Sequence, residues 1–353
     1  MTYVIGGADV DPESSPLAGK LGRFRARDGS EGAPLYFDCN RPHAILVVGK
    51  RGYGKSYTLG VLAEELARCH PIAPVLVDPM GVFRSMAEAA SGGRVPATVV
   101  DDPRVRPDSL DPLSWCALVG LDPERAAGGL LWQAAEAEST LPAMREHVES
   151  ATASDAAKRA AVNHLLLAAS WDVFDASEGL DARSLGGPEL TIVDVSGLGA
   201  APMNAVARGV AESLYRARVS DSIDRLPWLL LDEAHAFFDG VAGDALKRIV
   251  TRGRAPGVSL VLVTQRPSAV PEVAISQSDV LVSHRLTARA DVEALQAAQP
   301  TYMSRSLLDR MPTKAGEVVL IDDATESVFA AQVRERDTPH GGDSACAADV
   351  ELD

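Results

Sequence analysis

The reading of this chain turns on Gly49-Lys50-Arg51-Gly52-Tyr53-Gly54-Lys55-Ser56. The stretch fits GxxxxGK[ST], a pattern whose glycines let successive backbone N–H groups curl around a phosphate chain. Its surroundings are those the pattern requires. The unbroken apolar run Ala44-Ile45-Leu46-Val47-Val48 reads as a buried parallel strand, and Ser56 to Arg68 reads as an amphipathic helix. A second apolar run, Pro74-Val75-Leu76-Val77-Asp78, follows at once, so the order is strand, loop, helix, strand: a βαβ unit. A helix that starts at such a loop points its positive end at a bound anion. Gly49, Arg51, Gly52, Tyr53, Gly54, Lys55, Ser56 and Tyr57 are therefore the expected nucleotide-binding residues. Within that set, Lys55 would reach the β- and γ-phosphates and the Ser56 hydroxyl would hold Mg2+.

Further along, Trp228-Leu229-Leu230-Leu231-Asp232-Glu233 describes a buried strand that delivers two carboxylates at its C-terminal end, where α/β folds bind ligands. An apolar run ending in Asp-Glu is common on its own; after a phosphate loop it is informative. Asp232 would support Mg2+ and Glu233 would activate the attacking water as general base, so that ATP is hydrolysed rather than merely bound. Thr313-Lys314-Ala315-Gly316 lacks the final Asp of a guanine-reading [NT]KxD motif. Directly after the next apolar run, Val258 to Val263, stands Gln265, placed to touch a γ-phosphate or its attacking water. Before that run, Arg252 and Arg254 lie in the turn Thr251-Arg252-Gly253-Arg254-Ala255-Pro256-Gly257, where an arginine can reach across a subunit boundary and neutralise charge in a transition state.

The rest of the chain predicts one α/β fold, a mostly parallel sheet between helices. Further strands are expected at Leu190–Val195 and Gly316–Ile321, and helices at Ala201–Arg218 and Gly243–Arg252. Alanine-rich helical sequence from 118 to 182, with helix starts at Asp122-Pro123-Glu124 and Ser154-Asp155, reads as an insertion. Residues 1–40 read as a short β-rich lead-in, with Leu21–Ala26 and Leu35–Asp38 paired across a turn; the core is 41–336, and 337–353 are expected to form a disordered acidic tail. Arg23, Arg25 and Arg27 alternate along the first of these strands, a pattern that suits DNA or an exposed edge equally.

Composition narrows the surroundings. No apolar run approaches the roughly eighteen residues of a membrane span, and Met1 to Asp9 lack the basic start and apolar stretch of a secretory signal, so no membrane contact and a cytoplasmic location are expected. Cys39, Cys69, Cys116 and Cys346 have no CxxC spacing and read as free thiols. The formal charge is −15, and Lys20, Lys50, Lys55, Lys158, Lys247 and Lys314 are the only lysines. Acidic, lysine-poor chains suit salt-rich cytoplasm, where strong screening tolerates self-repulsion, so a halophile source is expected. Net acidity disfavours phosphate contacts overall, yet a ring needs only a local basic lining in its pore.

Taken together, the phosphate loop, Leu229-Leu230-Leu231-Asp232-Glu233-Ala234-His235, the segment from Arg252 through Thr264-Gln265-Arg266-Pro267-Ser268, and Ser283-His284-Arg285-Leu286-Thr287 ahead of Asp291 resemble the HerA/FtsK superfamily, HerA-like ATPases in particular. Tyr36-Phe37-Asp38, Arg41 to Leu46, Asp78-Pro79-Met80-Gly81 and Ile192 to Leu198 resemble the linking segments of that family, so the likeness runs from Leu35 to Arg336. The resemblance implies a RecA-like core, ATP and Mg2+, a homohexameric ring, and double-stranded DNA threaded through it. It also implies that Gln265 is a sensor, that Arg254 is a finger acting on a neighbouring subunit, and that Arg285 and Arg41 are further basic positions. A nuclease or another effector protein is the further partner implied, although residues 1–40 are too short for the β-barrel that organises such docking in cellular members. The competing reading is a regulatory, defence or scaffolding ATPase whose nucleotide-dependent ring recruits an effector and moves no DNA. A DEAH-box helicase is disfavoured, because such enzymes need a second RecA domain with a QxxGRxGR-type motif and this sequence shows none.

Overall fold

The apolar runs read as strands, at Ala44–Val48, Pro74–Asp78, Leu190–Val195, Trp228–Asp232, Val258–Val263 and Gly316–Ile321, all lie in one sheet. The computed structural model describes residues 3–7, 12, 15–26, 28–90, 95–298 and 310–341. Its strands are β1 (Tyr3–Ile5), β2 (Ala18–Arg25), β3 (Glu31–Asp38), β4 (Ala44–Val48), β5 (Ile72–Asp78), β6 (Ala97–Val100), β7 (Leu190–Asp194), β8 (Leu226–Leu231), β9 (Ser259–Thr264), β10 (Val280–Ser283), β11 (Glu317–Asp322) and β12 (Ser327–Val333). They form a 12-stranded sheet in the order β1-β3-β2-β12-β11-β10-β4-β9-β8-β5-β7-β6. From β10 to β6 all neighbours are parallel. From β10 back to β3 they alternate in direction, and β1 closes that flank parallel to β3.

The helices are α1 (Lys55–Arg68), α2 (Ser85–Ala90), α3 (Pro112–Val119), α4 (Ala126–Ala137), α5 (Leu141–Ser150), α6 (Asp155–Ser170), α7 (Ala182–Leu185), α8 (Ala200–Val219), α9 (His235–Phe238), α10 (Ala242–Arg252), α11 (Glu272–Ser276) and α12 (Arg289–Ala298). Central strands are apolar throughout because both faces are covered. Alternate side chains divide between two cores: Ile45, Val47, Trp228, Leu230, Val261 and Val263 pack towards α1, and Leu46, Val48, Leu229, Leu231, Leu260 and Leu262 pack towards α8 and α10. Truncating a residue such as Leu46, which is wholly buried, would cost about 2–5 kcal/mol.

The helical insertion has its own core around Trp115, Leu131, Met144 and Leu165, joined to the sheet layer through Ala205 of α8. It starts earlier than the sequence suggested. Asp111 caps α3 by accepting from Ser114 N, and Pro112 occupies the first turn, where its missing N–H costs nothing. Asp122-Pro123-Glu124 proves to be a turn whose helix, α4, begins only at Ala126, whereas Ser154 caps α6 as its sequence predicts.

The lead-in strands extend the main sheet: β2 bonds to β12 with Phe24 opposite Ala331. Asp337 to Gly341, placed in the expected tail, are described, and the first of them pack on α1. Asp337 N and Thr338 N both donate to the buried Glu64 of α1, at 3.0 and 2.9 Å. Residues 342–353, which carry the rest of the expected tail and Cys346, lie outside the described residues, as does Arg27.

Candidate functional site

The site is assembled at the C-terminal ends of β4, β8 and β9. β4 feeds the loop Gly49–Gly54, and the loop closes against its neighbour strand: His284 N donates to Val48 O and Lys50 N to Arg285 O, both at 2.8 Å. A Cβ at Gly49 would sit 2.5 Å from His284 Cβ, so no larger residue fits there. Gly54, at φ +100°, turns the chain into α1 without any side-chain cap. The first-turn N–H groups of α1 are thus left for an external acceptor, the arrangement that binds anions at helix starts. Behind the loop, His284 is fully buried, with Nε2 2.9 Å from Thr58 Oγ1. Burial and the charge of Lys55 depress its pKa to about 3, so it stays neutral.

Lys55 turns its ammonium back into the loop, donating to Lys50 O at 3.3 Å. Burial lowers its pKa, while Glu233 and Asp232 oppose the shift. Ser56 Oγ donates to Asp232 Oδ2 at 2.8 Å, so α1 and the end of β8 are already in contact. Asp232 is 1% exposed. Its pKa is raised by burial, although Ser56 Oγ and Glu233 N, at 2.8 and 2.9 Å, donate to its carboxylate. Glu233 follows in the left-handed region at φ +45°, which is strained for a residue with a Cβ. Its Oε2 is buried, 3.4 Å from His235 Nδ1, with no hydrogen-bond partner among the described residues. Burial raises the Glu233 pKa, partly offset by the Lys55 cation and the Gln265 backbone N–H. An orphaned buried carboxylate oxygen calls for an explanation.

Gln265, at the end of β9, lines the same cavity, which encloses about 560 Å3 and is also bounded by Arg51, Gly52, Gly54, Lys55, Ser56, Tyr57, Asp232 and Glu233. Tyr53 lies beneath the Lys50 ammonium, 4.6 Å from its ring centroid. The hydroxyl–carboxylate pair Ser56–Asp232 is a donor set suited to a hard cation. No group of three or more His, Cys, Asp or Glu positioned for a metal exists among the described residues, so such a cation would complete its shell from phosphate and water.

Three contributors escaped the sequence reading. His235 stands between Glu233 and β9, its Nδ1 3.4 Å from Glu233 Oε2 and 3.2 Å from Thr264 Oγ1. Asp78, at the end of β5, accepts from the N–H groups of Met80, Gly81 and Phe83 and so shapes one cavity wall. His340, from the expected tail, lines the cavity as well. His235 and Asp78 stand within quoted motifs but their contacts show only in the fold, and His340 gives no motif signal because it reaches the cavity from a distant segment.

Arg254 is not in this cavity. It precedes β9 and so stands at the opposite end of the strands, with its side chain 78% exposed and Nη2 donating to Asp279 Oδ2 at 3.1 Å. The five residues of β4 alone separate the two ends by roughly 16 Å. Arg41 lines the same remote recess as Arg254. Arg252 ends α10 nearby. Arg285 lies by the phosphate loop, its guanidinium 5.9 Å from the Tyr53 ring.

A glycine cradle, a lysine, a hydroxyl–carboxylate pair and a neighbouring glutamate at the ends of parallel strands define a P-loop NTPase core. Two family models match this chain, "Helicase HerA, central domain" over residues 20–183 and "Helicase HerA-like C-terminal" over 224–315. The chain belongs to the HerA/FtsK superfamily of P-loop ATPases, as a HerA-like member. Among solved structures, VirB4 of Thermoanaerobacter pseudethanolicus superposes with a TM-score of 0.62 at 15% identity, over 90% of this chain and 96% of that one. The plasmid coupling protein TrwB, in complex with ADP and Mg2+, superposes with a TM-score of 0.59 at 15% identity, over 95% and 98% respectively. At such identities the likeness is one of fold, and that fold is the expected RecA-like one. A search of curated protein sequences gave no match.

Proposed function

We propose that the chain is an ATP-hydrolysing motor that acts as a ring, a homohexamer, and translocates or processes double-stranded DNA in the cytoplasm. One observation carries the reading. Lys55, Ser56, Asp232, Glu233 and Gln265 share a single cavity, while Arg254 stands exposed at the far end of the sheet. In this mechanism the first-turn amides of α1 and Lys55 hold the triphosphate, and Ser56 and Asp232 hold Mg2+, which when bound neutralises phosphate charge. Glu233 accepts the proton of the attacking water. Gln265 senses the γ-phosphate and, through the β8–β9 pairing, passes the change to the sheet. The Arg254 of one subunit leaves Asp279 and completes the site of the next. Ring closure and hydrolysis are thereby coupled. TrwB is a plasmid coupling protein, which supports a DNA-directed role by analogy of fold alone.

A second reading, a regulatory, defence or scaffolding ring that recruits an effector such as a nuclease, draws support from the net charge of −15 and from Leu113, Trp132, Leu166 and Leu167 exposed on the helical insertion. ATPase rate separates the two, measured across KCl concentration with and without duplex DNA, beside a Lys55→Ala control. Stimulation by DNA that vanishes in the control supports the motor. Hydrolysis indifferent to DNA at every salt concentration overturns it in favour of the regulatory ring.

A further inference from the structure

The nucleotide cavity has two dissimilar walls. One carries the carboxylates Asp232 and Glu233 with Gln265; the other carries Tyr57, Pro79, Met80, Val82 and His340. The triphosphate end is fixed by the start of α1, so whatever extends from the phosphates along the second wall meets aromatic and apolar surface, including Met80, which is 62% exposed. A flat heterocycle suits such a surface.

His340 brings the end of the described chain to that wall, beside Tyr57 of α1 and Pro79, Met80 and Val82 from the segment after β5. Residues Arg334–His340 run as a strap across α1. Glu64, with no exposed surface, accepts from Asp337 N, Thr338 N and, at 2.6 Å, Thr338 Oγ1; Arg334 Nη2 lies 2.8 Å from its other oxygen. Ser85 Oγ, at the start of α2, donates to Pro339 O at 2.9 Å and ties the strap to the segment that carries Pro79, Met80 and Val82. Between these anchors Arg336 N donates to Tyr57 Oη at 2.7 Å, and the buried Arg336 guanidinium lies 5.9 Å from both the Tyr57 and Phe83 rings. Arg336 Nη1 is 3.2 Å from His340 Nδ1. A guanidinium can only donate, so Nδ1 accepts and the ring proton resides on Nε2. The His340 and Tyr57 rings meet edge to face, 5.5 Å apart at 65°.

We infer that the strap forms the base subsite of the nucleotide site, with His340 and Tyr57 as the stacking surface for adenine and His340 as a specificity-determining residue. The inference rests on the ATP reading above. Arg336 and Thr338 are positioning residues: they hold the two rings without touching the base.

Equilibrium binding of ATP and of inorganic tripolyphosphate, each with Mg2+, to the full chain tests this. His340→Ala should weaken ATP binding about tenfold, within the range of one aromatic–base stack, and leave tripolyphosphate binding unchanged. His340→Phe, which restores a ring, should recover most of the ATP affinity. Equal weakening of both ligands by His340→Ala, no weakening of either, or a His340→Phe variant as poor as the alanine one would overturn the base subsite. A wild-type chain that binds tripolyphosphate and ATP equally well would do the same. A wild-type chain that binds neither would instead remove the nucleotide reading on which the inference stands.

Discussion

At the scale of single residues the proposed chemistry falls on Glu233. Its left-handed backbone and unpartnered buried oxygen are costs that a general-base role would account for. Glu233→Gln should keep ATP binding while turnover falls by about 10²–10⁴-fold, the usual worth of a general base. Nucleotide binding and single-turnover hydrolysis measured on the same preparation test this, and wild-type turnover in the variant would remove the assignment. The base must be ionised to act, and burial raises its pKa. The acid limb of the kcat profile should therefore lie above the carboxylate range near about pH 4; a limb at or below that value would place the base elsewhere. Gly49→Ala should abolish nucleotide binding in a folded protein, because the new methyl group meets His284 at 2.5 Å. Calorimetric titration with ATP, beside a circular dichroism spectrum, reads both halves of that expectation.

Elements place these residues, and here the sequence was legible unevenly. The phosphate loop, β8 with its Asp-Glu ending and Gln265 after β9 could be read because each motif is contiguous with a long apolar strand. β10 and β6 went unread: four residues each carry too little periodicity, and β10 is flanked by the polar Asp279 and His284. β12 is half-buried along most of its length, with only Ala331 and Val333 buried, and the strap is polar, its partner Glu64 lying 273 positions away from Asp337. Arg254 was legible as a candidate, but its distance from its own loop required the sheet. If it serves a neighbouring subunit, Arg254→Ala and Lys55→Ala chains, each inactive alone, should regain ATPase activity when mixed, most at equal proportions. Activity flat at every ratio would end the trans assignment. The recess beside it makes a separate prediction. Burial of His43 opposes its charge, but Asp279 at 2.8 Å and the Asp38 carboxylate at 3.9 Å, too far for a hydrogen bond, raise its pKa to about 9. A raised histidine pKa means stability that is complete below the ordinary value of about 6.5 and lost as pH climbs through about 9. The thermal midpoint of the wild type should fall across that window more steeply than that of His43→Asn; parallel curves would show that the pair contributes nothing.

For the whole molecule, charge and assembly are the open variables. A chain of formal charge −15 can hold DNA only through local basic surface, so any DNA stimulation of the ATPase should decline steeply with salt. A stimulation insensitive to salt would mean that contacts other than phosphate carry it. The antiparallel flank has a consequence of a different kind, concerning the order in which the molecule comes into being. β2, made well before β12, takes β12 as a sheet neighbour, with Gly22 opposite Val333, and the strap that closes over α1 emerges later still. The parallel strands from β4 to β9 can form a layer while the chain is still leaving the ribosome, but this flank cannot be sewn up until residue 333 is free. A nascent chain paused before that point therefore exposes one edge of β2 and one lip of the cavity. The strap therefore closes over α1 only after β12 has paired with β2, later than the parallel layer that carries the phosphate loop.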